Sequence, residues 1–323
     1  MSSPALPSSL VEKTSASPPP SKPAVMVDHL VKRYGTLAAV RDLSFSIAPG
    51  EVFALLGPNG AGKTSTVEIL EGFRARDGGQ VRVLGEDPAT SRSLRQRVGM
   101  MPQHSALYPH ITVSEALTLF CSYYSRPVSP QTLIETIGLA DHAGARFKTL
   151  SGGEKQRLSL GLAMAGNPEL LFLDEPTAAM DPQARQITWN LISSLRARGV
   201  TLLLTTHYLE EAQRLADRVA IIDHGLLVAL GTPADLTRRA GGLVRFVTSP
   251  PVPAARFLEL PGAIAAEEER PGVYRLESAD PDELLIEVAL WARAMGTRVR
   301  DLRVERATLE EVFLQLTTPE AVE

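Results

Sequence analysis

The stretch LLGPNGAGKTST places Gly57, Gly62, Lys63 and Thr64 in the pattern Gly-x-x-x-x-Gly-Lys-Thr, between an apolar run that reads as a strand and a run, GKTSTVEILEGF, that reads as a helix. These residue types suit phosphate. Glycines at a strand-to-helix turn let backbone N–H groups close around the anion, the lysine reaches the β and γ groups, and the threonine hydroxyl can ligate Mg²⁺. The candidate cradle is Gly57, Pro58, Asn59, Gly60, Ala61, Gly62, Lys63, Thr64 and Ser65. An ordinary glycine turn is the bland alternative; the strand before and the helix after weigh against it.

LLFLDEP supplies the partner carboxylates. Asp174 ends an apolar strand, a position from which a carboxylate can hold Mg²⁺ through water. Glu175 follows and points differently, so it can take a proton from water beside a γ-phosphate as general base. Alone, such a pair also fits a turn or an ion pair. A third stretch, TLSGGEKQRL, opens a helix with Ser151, Gly152 and Gly153. Glycine weakens a first turn, yet bare N–H groups at the positive end of a helix suit an anion. The alternative is a softened helix start with no ligand.

The elements that must position these residues alternate. VMVDHLVKRYG, LSFSIAPGEVFALLG, QVRVLG and RVGMMPQ read as strands, and a helical stretch runs from about Val113 to Gly166. ELLFLDEP and VTLLLTTH are short apolar runs of the kind found in buried parallel strands. Helices are predicted over Pro182–Arg198 and His207–Ala216, and RVAIIDHGLLVALG reads as a hairpin. Alternation of this kind predicts a layered α/β core over residues 25–242, with a helical subdomain at about 104–166. Beyond it, strand Leu243–Thr248, helix Ala254–Leu260, strands Ala263–Glu267 and Gly272–Glu277, helix Pro281–Arg293 and strand Arg298–Val304 predict a ferredoxin-like α+β domain over 243–318. A last helix begins at ATLEEVFLQL, where Thr308 and Glu311 fit a capping box. Residues 1–24, rich in Pro and Ser, read as a disordered tail, with a second short tail at 319–323.

Composition excludes several classes. With 44 % hydrophobic residues the 323-residue chain can build a packed core. No apolar run approaches the roughly 18 residues of a spanning helix, and the N-terminus shows no secretory pattern. A single cysteine, Cys121, permits no internal disulfide and fits a reducing compartment. A net charge of −4 argues against a nucleic-acid partner. The histidines have no ligand-like spacing, so no structural metal is expected. Cys121, Trp189 and Trp291 read as packing residues, RSLRQR at 92–97 as solvated surface, and EEER at 267–270 as a turn.

In order, the cradle, LSGGE, LLFLDEP and TTH resemble the nucleotide-binding subunit of ATP-binding cassette (ABC) transporters over about residues 25–240. The resemblance implies a P-loop NTPase cassette, with a RecA-like α/β core and an α-helical subdomain, that hydrolyses ATP with Mg²⁺. It implies that Tyr34 stacks on adenine and that Gln103 meets Mg²⁺ or water and senses the membrane partner. His207 would contact the γ-phosphate, and Asp181 would lie in a loop crossing a dimer interface. It further implies head-to-tail docking of two such subunits, so that Ser151, Gly152 and Gly153 meet the neighbour's γ-phosphate. The Mg²⁺ set would be Thr64, Gln103 and Asp174. LLTTHYLEEAQRLADRVAIIDHG and RATLEEVFLQLT resemble the ABC-2 type, daunorubicin-resistance-like exporter subunits. This implies efflux of drug, lipid or polysaccharide through a separate transmembrane permease, with the chain at the cytoplasmic face of the membrane. Tyr108, Phe120, Tyr123 and Tyr124, between Gln103 and Ser151, read either as a small core of that helical stretch or as a groove receiving a short helix of that permease, and both can hold. Two departures from the common pattern are Glu154, where glutamine is frequent, and AAMD, where a glycine-leucine pair is common. The alternative is a soluble ABC ATPase acting on ribosomes or in DNA repair. A single cassette, no coiled-coil insertion and the acidic balance weigh against it.

Overall fold

A computed structural model describes residues 22–103, 106–178 and 180–317. The expected tail falls outside these residues up to position 21, as does the end of the chain from 318. Ala24, which the sequence places in the tail, is buried, and its N–H donates to the Ile47 carbonyl at 2.8 Å.

The chain divides into two compact units, one up to Leu230 and one from Gly231. The first contains strands β1 (Val25–Tyr34), β2 (Leu37–Ile47), β3 (Val52–Leu56), β4 (Gly78–Val83), β5 (Val98–Met101), β6 (Leu170–Asp174), β7 (Thr201–Thr205), β8 (Arg218–Asp223) and β9 (Leu226–Gly231). Its helices are α1 (Lys63–Leu70), α2 (Val113–Cys121), α3 (Pro130–Thr136), α4 (Gly152–Ala163), α5 (Pro182–Ala197) and α6 (Leu209–Leu215). One sheet has the order β5-β6-β7-β3-β8-β9, and its β5–β6, β6–β7, β7–β3 and β3–β8 pairs are parallel. Strands β3 and β7 are buried along their whole length, which explains their unbroken apolar sequences. A second, antiparallel sheet has the order β2-β1-β4. The two sheets share one core, in which the rings of Phe45 and Phe53 stack with centroids 5.1 Å apart.

Two sequence readings resolve into finer pieces. The run at 43–57 is two strands, because Ala48–Gly50 turns the chain between them. The helical stretch is α2, α3, α4 and two 3-10 turns, Ala140–His142 and Phe147–Thr149. Caps set these boundaries: Thr112 and Glu115 form a capping box on α2, and Ser129 caps α3 with Pro130 following.

The second unit holds α7 (Pro233–Arg239), β10 (Gly242–Ser249), a 3-10 turn (Ala254–Glu259), β11 (Ala265–Arg270), β12 (Val273–Ser278), α8 (Pro281–Met295), β13 (Arg298–Arg306) and α9 (Leu309–Thr317). Its sheet order, β11-β12-β10-β13, with each neighbouring pair antiparallel, is the ferredoxin-like arrangement, and the first crossover helix is reduced to the 3-10 turn. Phe257 on that turn is fully buried, with its ring 5.0 Å from Phe246, 4.7 Å from Tyr274 and 4.8 Å from Trp291. The EEER segment is not a turn. It continues β11, where Glu267 pairs across the sheet with Arg275 at 3.0 Å and Glu269 with Arg245. Opposite charges on the adjoining strand β12 and on β10 beyond it replace the apolar alternation by which strands are usually recognised. The capping box at Thr308 and Glu311 is present on α9.

Candidate functional site

Four adjacent parallel strands deliver the chemistry to one edge of the sheet. β3 ends at Leu56 and runs into the cradle, β6 ends at Asp174, β7 at Thr205 two residues before His207, and β5 at Met101 two residues before Gln103. The register aligns these ends: Met101 opposes Leu173, Asp174 opposes Thr205, and Leu55 opposes Thr205. Ligands of open α/β sheets gather at this carboxyl edge because the following loops converge there.

The cradle is built for close backbone approach. Gly62, at φ 102°, is the N-cap of α1, and a Cβ there would stand 2.4 Å from the Ala39 carbonyl oxygen. A Cβ at Gly57 would stand 2.3 Å from the Ile222 carbonyl oxygen. No side chain caps α1. Its first N–H groups therefore keep their donors turned outward, at the positive end of the helix dipole. Lys63 Nζ donates to the carbonyls of Gly57 at 2.6 Å and Pro58 at 3.1 Å, folding over the loop. Burial pulls the Lys63 pKa down, and the carboxylates of Glu175 and Asp174 act against that shift. Outward N–H donors, a lysine within the field of two carboxylates and a threonine next to it form a donor set that fits a polyphosphate with Mg²⁺.

Glu175 is the hub of the opposite wall. Its Oε2 accepts from Gln103 Nε2 at 2.9 Å and lies 3.2 Å from His207 Nδ1. Its backbone takes φ 48°, unusual for a side-chain-bearing residue, and its N–H donates to the Thr205 carbonyl at 3.0 Å. That bend turns Glu175 away from the path of Asp174, whose carboxylate accepts from the Thr205 hydroxyl. Sequence reasoning passed over Thr205; its signal was its place in the TTH run, in register with Asp174. It also passed over Glu211, a fully buried carboxylate on α6 that accepts from Thr177 Oγ1 at 2.9 Å and Trp189 Nε1 at 3.1 Å. These bonds tie the loop after Glu175 to α5 and α6.

Tyr34 leaves 40 % of its surface exposed, donates to or accepts from Ser65 Oγ at 3.0 Å, and carries the Arg74 guanidinium 5.2 Å from its ring centroid. It thus stands on the flank of the cradle.

Ser151, Gly152, Gly153 and Asp181 stand apart. Among the described residues no hydrogen bond or ion pair joins them to the cradle or to Glu175. Ser151 is the N-cap of α4 in a capping box: its N–H donates to Glu154 Oε2 at 2.7 Å and its Oγ accepts from the Glu154 N–H at 3.3 Å. The Ser151 N–H holds the Glu154 carboxyl below the usual range, helped by the Ser151 hydroxyl and by His142, 3.3 Å away. Asp181 caps α5 by accepting from the Ala184 N–H at 2.9 Å. Both helix starts are exposed, with Ser151, Gly152 and Asp181 at the surface.

A groove of about 500 Å³ borders the end of β5, with Met100 and Pro102 in its lining. Phe120 and Tyr124 line it, as does Phe73, whereas Tyr108 and Tyr123 are exposed outside it.

A family model for ABC transporters matches residues 40–178. The chain is 41 % identical over 306 residues to the Nod factor export ATP-binding protein I of Paraburkholderia xenovorans (strain LB400), covering 91 % of this chain and 97 % of that protein. It is 38 % identical over 317 residues to the protein of that name from Rhizobium sp. (strain N33), covering 92 % and 98 %. Among solved structures, an ATP-binding subunit of an ABC transporter superposes with a TM-score of 0.61 at 28 % identity, over 67 % of this chain and 93 % of that one. A dimeric bacterial ABC transporter cassette shares the fold, with a TM-score of 0.59 at 22 % identity over 64 % of this chain and 98 % of that one. Matched along nearly its whole length, and carrying the phosphate cradle and carboxylates in place, the chain belongs to the ATP-hydrolysing, ATP-binding subunits of ABC transporters.

Proposed function

We propose that the chain is the ATP-driven motor of an ABC-2 type exporter. It works by closing two ATP-binding subunits, identical or different, over shared nucleotide and passing that closure to a separate transmembrane permease. The observation that carries this reading is the separation within one chain. Cradle, Glu175, Gln103 and His207 meet at one edge, while the exposed helix start at Ser151 lies apart from them. Among the described residues no acceptor takes the N–H of Gly152 or Gly153, and free donors at a helix start suit the γ-phosphate held by a second subunit, with Asp181 at the same interface.

The roles follow from position. Lys63 and the amides of 57–65 hold the β and γ phosphates, and Tyr34 stacks on the adenine. Thr64, Asp174 and Gln103 would hold Mg²⁺, which neutralises charge on the phosphate oxygens. Glu175 takes the proton of the attacking water, and His207, beside the same oxygen, steadies the γ-phosphate. Among the described residues no helix is long and apolar enough to cross a membrane, so passage of cargo is assigned to the partner. The groove lined by Phe73, Phe120 and Tyr124 would seat a short helix of that permease, an apolar surface that supports a position at the cytoplasmic face of the membrane. The relatives are named for Nod factor export, which supports an export role, with the cargo kept to the wider class of drugs, lipids and polysaccharides.

The deciding experiment purifies tagged Glu175→Gln chain with MgATP from membranes of the native host. A nucleotide-dependent dimer that carries a multi-span membrane protein supports the reading. A chain that stays single with ATP and permease present, or that brings down ribosomes or DNA, overturns it.

A further inference from the structure

The groove holds a carboxylate with no cation. Glu71, the C-cap residue of α1, lines it together with Phe73, Leu94, Met100, Phe120 and Leu162. Among the described residues, no hydrogen bond or ion pair reaches the Glu71 side chain. Burial pushes its carboxyl up to about 8, with further push from Asp174 and Glu68. Glu68 offers no relief, because its own charge is taken by Arg74. The other titratable groups lining the groove, among the described residues, are Arg95 and Tyr124. Arg95 is exposed and forms no ion pair with Glu71. Nor does a metal fit: among the described residues no group of three His, Cys, Asp or Glu side chains could hold one.

We infer that the groove is a charge-selective socket, in which the permease's docking helix lays an apolar face against Phe73, Phe120 and Leu162 and sets a lysine or arginine on Glu71. This rests on the reading of the groove as the permease's seat. A carboxylate crowded by two others in apolar surroundings is costly to ionise until a cation arrives. A helix bringing a basic side chain relieves that cost, a neutral one gains only apolar contact, and an acidic one is repelled. Docking therefore moves a proton: Glu71 gives its carboxyl proton to solvent, keeps the electron pair, and pairs with the incoming cation. The socket also sits within the field of Asp174, so the partner's cation is felt at the carboxylate that ends β6.

The test titrates the full chain by calorimetry with three stapled helical peptides of about twelve residues, long enough to span a groove of this size. They share one apolar face and differ at one central position: lysine, norleucine or glutamate. The lysine peptide is expected to bind at least about tenfold more tightly than the norleucine peptide, with the glutamate peptide weakest, and to release a proton in buffers of different ionisation heat. Glu71→Gln levels the series and abolishes proton release; Glu71→Lys inverts the order. Unchanged MgATP affinity checks that both variants are folded, and Glu71→Gln alone suffices should Glu71→Lys fail. Equal binding of all three peptides to the wild-type chain overturns the socket and leaves the seat standing. Binding of none, while the chain still co-purifies with its permease, overturns both.

Discussion

Gln103 Nε2 donates to Glu175 Oε2 at 2.9 Å, joining the residue just past β5 to the one just past β6. The same oxygen faces His207 Nδ1 at 3.2 Å, so one carboxylate oxygen receives groups from the loops after β5 and β7. Movement of the Gln103 loop, which leads into the helical part of the unit, therefore reaches the proposed base through a single hydrogen bond. Pro102, beside Gln103, lines the groove, so one hydrogen bond joins the segment bordering the groove to the proposed base.

Glu175→Gln keeps the shape of this hub and removes its basicity. Phosphate release should fall by about a hundredfold or more, in the range typical for loss of a general base. Nucleotide affinity by calorimetry should stay within a few-fold of wild type, and light scattering should show a dimer that persists in MgATP. Wild-type turnover in this variant would remove Glu175 from the role of base.

Lys63→Ala takes away the cation that folds over the Gly57 and Pro58 carbonyls. Loss of a charge-assisted contact to phosphate should weaken MgATP binding by about ten- to a hundredfold. Calorimetry measures this directly, with adenosine as a control that carries no phosphate. Undiminished ATP affinity would mean that the cradle does not grip phosphate through this side chain.

The parts of this site that spacing encodes were legible in the chain: a glycine cradle, a carboxylate pair after an apolar strand, a serine-glycine helix start. Fold class followed from apolar runs that alternate with amphipathic ones. Legibility failed where a contact replaces a pattern. The Thr205 hydroxyl on Asp174 depends on strand register, which single-residue types do not reveal. EEER reads as a turn because its charges find their partners only in the folded sheet: Glu267 on Arg275 of the neighbouring strand, Glu269 on Arg245 one strand further, and Glu268 on the Gly272 N–H and Tyr274 hydroxyl. Glu71 drew no notice in the sequence, because its burial comes from a groove assembled by segments far apart along the chain.

Glu154 is the clearest local departure from the usual family pattern, and its geometry predicts its effect. The carboxylate occupies the Ser151 N–H and carries a negative charge at the helix start proposed to meet a neighbour's γ-phosphate. Glu154→Gln retains the capping box, since glutamine serves equally at that position. It removes a charge whose favourable interaction with the helix start, about 0.3–1 kcal/mol, competes with that of an incoming phosphate. Titrating the Glu175→Gln background with MgATP, dimerisation should reach its midpoint at a concentration about two- to fivefold lower in the double variant. An unchanged midpoint would place Ser151 away from the shared phosphate.

Glu71 makes a pH prediction of definite sign. Its carboxyl is raised from 4.5 to about 8 in the folded chain by burial, then by Asp174 and Glu68. Between those values the native state holds a proton that the unfolded chain releases, so this group's contribution to stability falls as pH rises through the window. It recovers on acidification. Glu71→Gln has nothing to ionise and escapes that loss. The variant should therefore gain on wild type as pH rises from about 6 to about 9, by about 2 kcal/mol once exposure at the groove is discounted. The two should converge near the unfolded value. Urea melts at several pH values read the difference, and the comparison is made without permease, whose cation would mask it. A constant gap across the window would show that Glu71 ionises as freely in the fold as in the open chain.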